Sequence, residues 1–402
     1  MTQPFLPYGR QVIDDDDIAA VTAVLKGDWL TTGPAVAAFE QALANRVGAR
    51  YAVACSSGTA ALHLAALALG LGPGDAMVVP AITFLATANA ARYVGADVVF
   101  ADVDPDTGLM TPETLNAALK RAAGRNVRAI APVHFAGQCE DLAAFRKIAD
   151  DHGLDIVEDA CHALGAVYQT ANRAPAPVGG CQFGNMAVFS FHPVKTVAMG
   201  EGGAVTTNDD SLFERLTTLR NHGMIRNPER LAHRADAFDD SGKLNPWYYE
   251  MTEPGFNYRA SDIHCALGLS QIARLDHFIA CRRELTGRYD ERLESLAPSV
   301  RPLARTAGCR PGWHLYVALI DFTTLGLDRA EVMIKLRDKG IGTQVHYYPV
   351  NRQPYYRELY GDAALPGADA YYNRALSLPL FAGMDIADVD RVVDTFGQVL
   401  GL

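Results

Sequence analysis

Several features that would fix the class of this protein at once are missing from its sequence. No run of about 18 apolar residues occurs, so no membrane-spanning helix is predicted. The N-terminus has no basic stretch followed by an apolar core, so no secretory signal is predicted either. The formal net charge of −10 disfavours binding to nucleic acid, whose phosphates are neutralised by Lys and Arg. We therefore expect a cytoplasmic protein without a nucleic-acid or membrane partner.

Cysteine is scattered, and one familiar nucleotide motif is missing. The seven cysteines contain no C-x-x-C pair, so the sequence predicts neither a disulfide framework nor a metal site. A G-x-G-x-x-G turn after a strand is also missing, which argues against a NAD-dependent enzyme.

Short apolar runs are present, and they alternate with helix-length segments. Strands that are apolar on both faces are typical of a mostly parallel sheet covered by helices, so we predict an α/β fold. We place an N-terminal segment and a large domain at 1–270 and a smaller α+β domain at 271–402, and we interpret the polar segment 225–256 as a loop near the site. The predicted strands lie at 50–55, 77–80, 97–103, 127–133, 154–159, 186–191 and 203–208.

The sequence contains a lysine and a strand-end carboxylate, the two side chains that pyridoxal phosphate (PLP) chemistry needs. Lys195 ends the run S-F-H-P-V-K, and Asp159 ends the predicted strand 154–159. A PLP enzyme needs a lysine amine to hold the cofactor aldehyde as a Schiff base, and a carboxylate to keep the pyridine nitrogen protonated. Taken alone, each would be read as a solvated surface charge.

Small and hydroxyl residues follow the first strand at C-S-S-G-T-A-A-L, residues 55–62. Free backbone N–H groups at a helix start, with the Thr59 hydroxyl, would hold a phosphate. The same pattern also describes an ordinary helix cap, and Ser190 would be either a further phosphate ligand or a structural serine. The joint order of this turn, Phe84 after a strand, Asp159, His162, Ser190 and Lys195 favours a cofactor site over those separate readings.

With these motifs in place, the chain resembles the DegT/StrS family of PLP-dependent nucleotide-sugar aminotransferases over nearly its full length. The resemblance implies the aspartate-aminotransferase type of fold, PLP transferase fold type I, and a homodimer with active sites at the subunit interface. The matching stretches are S-S-G-T-A-A-L, I-T-F-L-A-T-A-N, E-D-A-C-H-A-L-G, S-F-H-P-V-K, E-G-G-A-V-T-T-N-D, L-R-N-H-G, G-F-N-Y-R-A-S-D-I-H-C-A-L-G-L-S-Q and Q-V-H-Y-Y-P.

The resemblance also assigns roles at the cofactor. Lys195 becomes the Schiff-base lysine and proton shuttle, Asp159 the partner of the pyridine nitrogen, and His162 a neighbour of the ring oxygen. Phe84 would stack on the ring, although a core phenylalanine makes the same kind of contact. The phosphate would be held by Gly58, Thr59, Ser190 and, from the opposite subunit, Asn257.

The implied reaction moves an amino group from L-glutamate to a keto sugar, with pyridoxamine phosphate as the amine-carrying form. Family dehydratases have histidine at the lysine position, so Lys195 favours transamination. The branch that fits best acts on the C4 ketone of a UDP-linked 4-keto-6-deoxy-N-acetyl-L-hexosamine. It yields UDP-4-amino-4,6-dideoxy-N-acetyl-β-L-altrosamine for pseudaminic acid synthesis. Alternatives are another 3- or 4-keto nucleotide sugar, of the GDP-perosamine or dTDP-amino-sugar type, and a non-catalytic regulatory member.

The resemblance places the sugar nucleotide between an N-terminal and a C-terminal group of residues. Each of these side chains would otherwise be read as core or dimer packing. His192, Arg226 and Arg259 would meet the diphosphate or serve as scaffold ion pairs, and they stay outside the predicted set. The predicted substrate residues are Tyr8, Asp28, Trp29, Leu30, Thr31, Val345, His346 and Tyr347.

Overall fold

The structure is a computed structural model that describes residues 4–169 and 174–402. The strands are β1 (Tyr51–Cys55), β2 (Asp75–Pro80), β3 (Asp97–Ala101), β4 (Asn126–Ile130), β5 (Asp155–Asp159), β6 (Val167–Tyr168), β7 (Ala176–Pro177), β8 (Met186–Ser190), β9 (Gly203–Thr207), β10 (Met224–Ile225), β11 (Glu250–Met251), β12 (Val300–Pro302), β13 (Cys309–Arg310), β14 (Tyr316–Ile320) and β15 (Ala375–Leu378). The helices are α1 (Asp15–Leu25), α2 (Pro34–Val47), α3 (Gly58–Ala68), α4 (Leu85–Tyr93), α5 (Pro112–Arg121), α6 (Leu142–His152), α7 (Asp210–Leu219), α8 (Arg234–Ala237), α9 (Asp262–Ala273), α10 (Leu275–Leu293), α11 (Phe322–Leu325), α12 (Arg329–Asp338), α13 (Pro354–Tyr360), α14 (Pro366–Arg374) and α15 (Ile386–Leu400).

A seven-stranded sheet forms the centre of the molecule, in the order β1-β9-β8-β5-β4-β2-β3. The pairs β2–β3, β2–β4, β4–β5 and β5–β8 are parallel, and β9 runs antiparallel to both of its neighbours. The strands carry buried apolar side chains on both faces because helices cover both sides. The predicted mostly parallel sheet and all seven of its predicted strands are therefore confirmed.

Three strands end at the edge of the sheet where ligands bind in folds of this type. Asp159 ends β5 and Ser190 ends β8, and Ser190 lies opposite Gly203 at the start of β9. Cys55 ends β1 and pairs with Gly203 from the other side. The chain between Ser190 and Gly203, which contains Lys195, therefore leaves and re-enters the sheet at this one edge.

The C-terminal part of the chain builds its own core. Strands β12, β14 and β15 form a three-stranded antiparallel sheet, against which α10, α12 and α15 pack. Helix α10 spans both cores, since Leu275 and Ile279 belong to the core of the large sheet whereas Leu285 belongs to the C-terminal core. The domain boundary between residues 270 and 271 stays a prediction.

The N-terminal segment is joined to the C-terminal part by backbone hydrogen bonds. The Leu6 N–H donates to Gly340 O at 2.9 Å, and Gly342 N–H donates to Leu6 O at 2.8 Å. Leu380 N–H donates to Tyr8 O at 3.0 Å. These backbone bonds hold Tyr8 beside the segment that contains His346.

Segment 225–256 is mostly irregular, as predicted, but it has a small core of its own formed by Ile225, Leu231 and Ala237. The carboxylate of Glu250 organises it by accepting hydrogen bonds from the N–H groups of Ala232 and His233. Within residues 4–169 and 174–402, no helix combines the length and the apolar character that crossing a bilayer requires.

Candidate active site

A cleft of about 620 Å³ opens at the sheet edge where β1, β5 and β8 end. Residues from the large sheet form one wall, and Tyr8 with the segment after α12 forms the other. Its lining includes Tyr8, Ser57, Gly58, Thr59, Thr83, Phe84, Thr87, Asp159, Cys161, His162, Ser190, His192, Lys195, Glu201, His314, Gln344, Val345, His346, Tyr347, Tyr348 and Gln353.

Asp159 lies at the floor of this cleft, and its side chain is only 5% exposed. Both carboxylate oxygens accept a hydrogen bond from the protein. The Thr87 hydroxyl donates to Oδ2 at 2.6 Å, and the Cys161 N–H donates to Oδ1 at 3.1 Å. The backbone is equally fixed, since Asp159 N–H donates to Pro132 O and Ala160 N–H donates to Val188 O, both at 2.9 Å. This carboxylate is held in one orientation at the cleft floor.

Lys195 belongs to the connection between β8 and β9 and is half-buried in the cleft. Two backbone bonds close the connection: Phe191 N–H donates to Gly202 O at 2.9 Å, and Met199 N–H donates to Phe191 O at 2.8 Å. Burial lowers the pKa of the Lys195 amine below the ordinary lysine value of 10.5, and the negative charge of Asp159 opposes this shift. The lysine is thus biased toward the neutral amine that attacks a carbonyl.

The start of α3 forms a cradle with the end of β8. Ser57 caps the helix, because its hydroxyl accepts a hydrogen bond from Ala60 N–H at 3.1 Å. The N–H groups of Gly58 and Thr59 belong to the first turn, where backbone N–H groups have no acceptor within the helix. A Cβ at Gly58 would lie 2.8 Å from the Ser190 Cβ, and one at Gly203 would lie 2.2 Å from Ser57 O. Only glycine permits this close approach, which places the N–H groups and the Ser190 hydroxyl around one small volume suited to a phosphate.

Phe84 and His162 lie on the cleft walls. Phe84 caps α4 with its ring 55% exposed, and its ring centroid is 6.1 Å from that of Tyr347. Phe84 thus presents an aromatic face to the cleft, against which a planar ligand could stack. The His162 Nε2 is 3.1 Å from the Tyr347 hydroxyl, and its buried Nδ1 has no hydrogen-bond partner among the described residues.

Three histidines of the cleft are held in their neutral form. Burial and, in smaller part, the charge of Lys195 lower the pKa of His162 and of His314 well below the ordinary 6.5. The same two causes, burial first, lower the pKa of His346 to about 3. Lys195 is therefore the cleft's basic group near neutral pH among these four side chains.

The predicted substrate residues separate into two groups. Tyr8, Val345, His346 and Tyr347 line the cleft, and the Tyr8 and His346 ring centroids lie 5.4 Å apart. The segment D-W-L-T is exposed and lies outside the cleft lining of its own chain. It is held at the start of α9, where Asp262 N–H donates to Leu30 O at 3.0 Å. The predicted substrate contacts of Asp28, Trp29, Leu30 and Thr31 stay predictions that require a second subunit.

Asn257 also lies outside the cleft of its own chain. It is exposed and forms a β-bridge with Asn221, and neighbouring Tyr258 accepts a hydrogen bond from Ser56 N–H at 2.8 Å. This location is compatible with a contribution to the opposite subunit, which stays a prediction. The segment 225–256, Arg226 and Arg259 also lie outside this lining, whereas His192 belongs to it.

Sequence reasoning missed several lining residues, notably Thr83, Thr87 and His314. The two threonines flank Phe84 in I-T-F-L-A-T with a spacing of four, which puts their side chains near each other at a helix start. His314 lies in W-H-L-Y, and its ring centroid is 4.4 Å from that of His162. No local pattern marks this pair, because the two residues meet only through the tertiary fold.

The residues of the cleft fit the predicted cofactor. A phosphate fits the cradle of Gly58, Thr59 and Ser190, a protonated ring nitrogen fits the Asp159 carboxylate, and an aldehyde fits a lysine of lowered pKa. Phe84 offers an exposed aromatic face for the ring. These groups reach one cleft from four separate elements: α3, α4, the end of β5 and the β8–β9 connection.

Comparison with known proteins gives a family over nearly the whole chain. The profile of the DegT/DnrJ/EryC1/StrS aminotransferase family matches residues 11–397. The spore coat polysaccharide biosynthesis protein SpsC of Bacillus subtilis (strain 168) is 38% identical over 399 residues, which cover 98% of this chain and 97% of SpsC.

Solved structures of other proteins superpose on this chain over nearly its full length. Helicobacter pylori PseC, an aminotransferase involved in the biosynthesis of pseudoaminic acid, superposes with a TM-score of 0.87 at 28% identity and 99% coverage of both chains. Spr1654 of Streptococcus pneumoniae, provisionally named a sugar aminotransferase, superposes in its PLP form with a TM-score of 0.86 at 27% identity, again with 99% coverage of both. The predicted fold of the PLP-dependent sugar aminotransferases is confirmed.

Proposed function

Since this chain belongs to the DegT/DnrJ/EryC1/StrS aminotransferase family, we propose that it is a PLP-dependent aminotransferase that moves an amino group from L-glutamate to a keto sugar nucleotide. The proposed acceptor is the C4 ketone of a UDP-linked 4-keto-6-deoxy-N-acetyl-L-hexosamine, and the proposed product is UDP-4-amino-4,6-dideoxy-N-acetyl-β-L-altrosamine. The observation that carries the proposal is the meeting of Lys195, Asp159, Phe84 and the Gly58 cradle in one cleft.

Bound PLP supplies an electron sink for the transfer of a proton to and from carbon. The chain's own part is to hold the ring and move the proton. Asp159, fixed by two donated hydrogen bonds, presents a negative charge where a protonated pyridine nitrogen would lie. Lys195, biased to its neutral form by burial, accepts a proton at Nζ and returns it. The neutral His162, His314 and His346 do not compete with it as charged acids.

The choice of sugar rests on two relatives. PseC belongs to a pseudaminic acid pathway and SpsC to spore coat polysaccharide synthesis, and both roles fit an enzyme that prepares amino sugars for a surface glycan. The segment of His346 and Tyr347, with Tyr8 opposite, offers the sugar hydrogen-bonding and aromatic surfaces. We also propose that the enzyme acts in the cytoplasm, a proposal supported by the scattered spacing of its cysteines.

The test follows the absorption spectrum of the cofactor on the purified protein. We expect L-glutamate to remove the visible band, and the 4-keto product made from UDP-N-acetylglucosamine by an inverting 4,6-dehydratase to restore it. Lys195→Ala should show neither change. A response to glutamate followed by recovery only with a GDP- or dTDP-linked 4-keto sugar would reassign the substrate, and a protein that binds no PLP would overturn the class.

We further propose a homodimer in which Asn257 serves the opposite subunit's site. Mixing inactive Lys195→Ala chains with Asn257→Ala chains tests this directly. If Asn257 acts in trans, a mixed dimer contains one site with both defects and one intact site, so activity returns on subunit exchange. If both residues serve the same site in cis, every site of the mixed dimer has a defect and activity stays absent.

A further inference from the structure

Two buried threonines lead from the cleft wall to Asp159. Thr87 is fully buried and Thr83 is 1% exposed. Their hydroxyl oxygens lie 2.8 Å apart, and the Thr87 hydroxyl lies 2.6 Å from Asp159 Oδ2. The two threonines therefore form a continuous hydrogen-bonded chain that ends on the carboxylate.

The direction of the chain follows from counting hydrogens. An ionised carboxylate only accepts hydrogen bonds, so Thr87 must donate its single hydroxyl hydrogen to Asp159. Its oxygen can then act only as the acceptor toward Thr83, which therefore donates. The order Thr83 to Thr87 to Asp159 places the positive end of each hydroxyl dipole toward the carboxylate.

The chain also restricts where the carboxylate can point. With Thr87 on Oδ2 and the Cys161 N–H on Oδ1, rotation of the Asp159 side chain would break both bonds. Thr87 is itself fixed, because it is the third residue of α4 and its backbone N–H donates to Phe84 O at 3.3 Å. Helix α4 thus connects the aromatic residue of the cleft wall with the acidic residue of its floor.

We propose that Thr87, supported by Thr83, is a positioning residue that aims the Asp159 carboxylate at the cofactor's ring nitrogen. The role rests on the proposed function, since it requires PLP in this cleft. Thr87 acts only through Asp159. Loss of the Thr87 hydroxyl should therefore weaken the binding of a ligand that has a protonated ring nitrogen. The binding of a ligand that lacks this nitrogen should be unchanged.

The test uses Thr87→Val, which keeps the shape and removes the hydroxyl, and Thr87→Ser, which keeps the hydroxyl. Affinity of the apo-protein is measured by absorbance titration for PLP and for 1-deaza-pyridoxal 5′-phosphate, in which a C–H replaces the ring nitrogen. We expect Thr87→Val to bind PLP about tenfold more weakly or worse, as for loss of a hydrogen bond to a charged group. Thr87→Ser should bind PLP within about twofold of the parent protein, because it keeps that hydrogen bond.

Binding of the deaza analogue distinguishes a loss of Asp159 positioning from a general loss of structure in the variant. The analogue should bind Thr87→Val and the parent protein alike, because its C–H makes no charged hydrogen bond to Asp159. Equal weakening for both ligands, or unchanged PLP binding, would overturn the inference. If apo Thr87→Val does not melt cooperatively, Thr83→Val replaces it, and a smaller loss specific to PLP is then expected. Failure of the parent protein to bind PLP would instead contradict the proposed function.

Discussion

Asp159 and Glu158 are neighbours at the end of β5, and their side chains serve opposite faces of the sheet. Asp159 faces the cleft and accepts from Thr87 and from the Cys161 N–H. Glu158 faces away, is fully buried, and accepts from the Tyr168 hydroxyl and pairs with His134 at 3.0 Å. The two successive carboxyl groups thus lie in different environments, because neighbouring side chains of a strand point to opposite faces of the sheet. Changes on the cleft face should cost activity, and changes on the rear face should cost stability.

Among changes on the cleft face, Lys195→Ala should cause the largest loss of activity. We expect transamination to fall by about a thousandfold or more, since the proton-transferring group is lost. Among the residues that the structure describes, the half-buried Lys195 side chain has no hydrogen-bond partner of the kind that Glu158 has, so the melting temperature of the apo-protein should stay near that of the parent. Activity assays and thermal unfolding measure the two quantities. A large drop in melting temperature would contradict the separation of the faces.

Asp159→Asn and Glu158→Gln form the direct comparison, since each replaces a carboxyl group by an amide of the same shape. For Asp159→Asn we expect activity to fall about a hundredfold to a thousandfold, as when one preorganised electrostatic contact is lost. The visible cofactor band should change with it, because the ring nitrogen loses its anionic partner.

For Glu158→Gln we expect the free energy of unfolding to fall by about 1–3 kcal/mol, because the buried hydrogen bonds of this side chain to Tyr168 and His134 are weakened. The residual folded enzyme should keep most of its activity per active site. Urea unfolding followed by titration of active sites with PLP checks both points. Similar losses of activity per site for the two variants would contradict the comparison.

His346 sharpens the comparison, because it lines the cleft and yet affects stability, since it makes the folded chain less stable in acid. Its pKa is about 3 in the folded chain, against 6.5 for the ordinary group, so between these values the unfolded chain binds one more proton. Stability therefore falls as pH decreases through this window, by about 1.4 kcal/mol per pH unit for this group. His346→Gln should flatten the apo-protein's stability profile by that slope between about pH 6 and pH 4. Parallel profiles for both proteins would refute the assignment.

Phe84→Ala should give the smallest effect. The ring is 55% exposed, so its removal should barely change stability. Loss of a stacking contact should weaken PLP binding about twofold to tenfold. Ile334→Ala on α12, where the side chain is 60% exposed and outside the cleft lining, is the matched control and should leave PLP binding unchanged.

The sheet and the cofactor end of the cleft could be predicted from the sequence because local patterns encode them. Apolar runs bounded by polar residues marked the strands, and Asp159, Ser190 and Gly58 stand at strand ends or helix starts, where a sheet of this type binds ligands. Lys195 was found through its motif and its place between two predicted strands.

The other residues of the cleft come together through long-range contacts that no local sequence pattern reveals. Thr87 meets Asp159 across 72 positions, and His314 reaches His162 only because the C-terminal part folds against the large sheet. Tyr8 enters the cleft through backbone bonds near Gly340. Trp29 and Asn257 are exposed and lie outside the cleft of their own chain, and their predicted roles stay predictions.

The antiparallel strand β9 has a consequence for the order in which this protein folds. Strand β1 pairs with β9 and, within the described sheet, with no other strand. The strand partner of Tyr51 is Thr207, so during synthesis β1 can pair only after more than a third of the chain has followed it. The β8–β9 hairpin closes over a short connection and can form early, whereas β1 joins it late because long-range pairing is slow. Since the phosphate cradle begins where β1 ends, we expect PLP to bind only after β1 has joined the sheet.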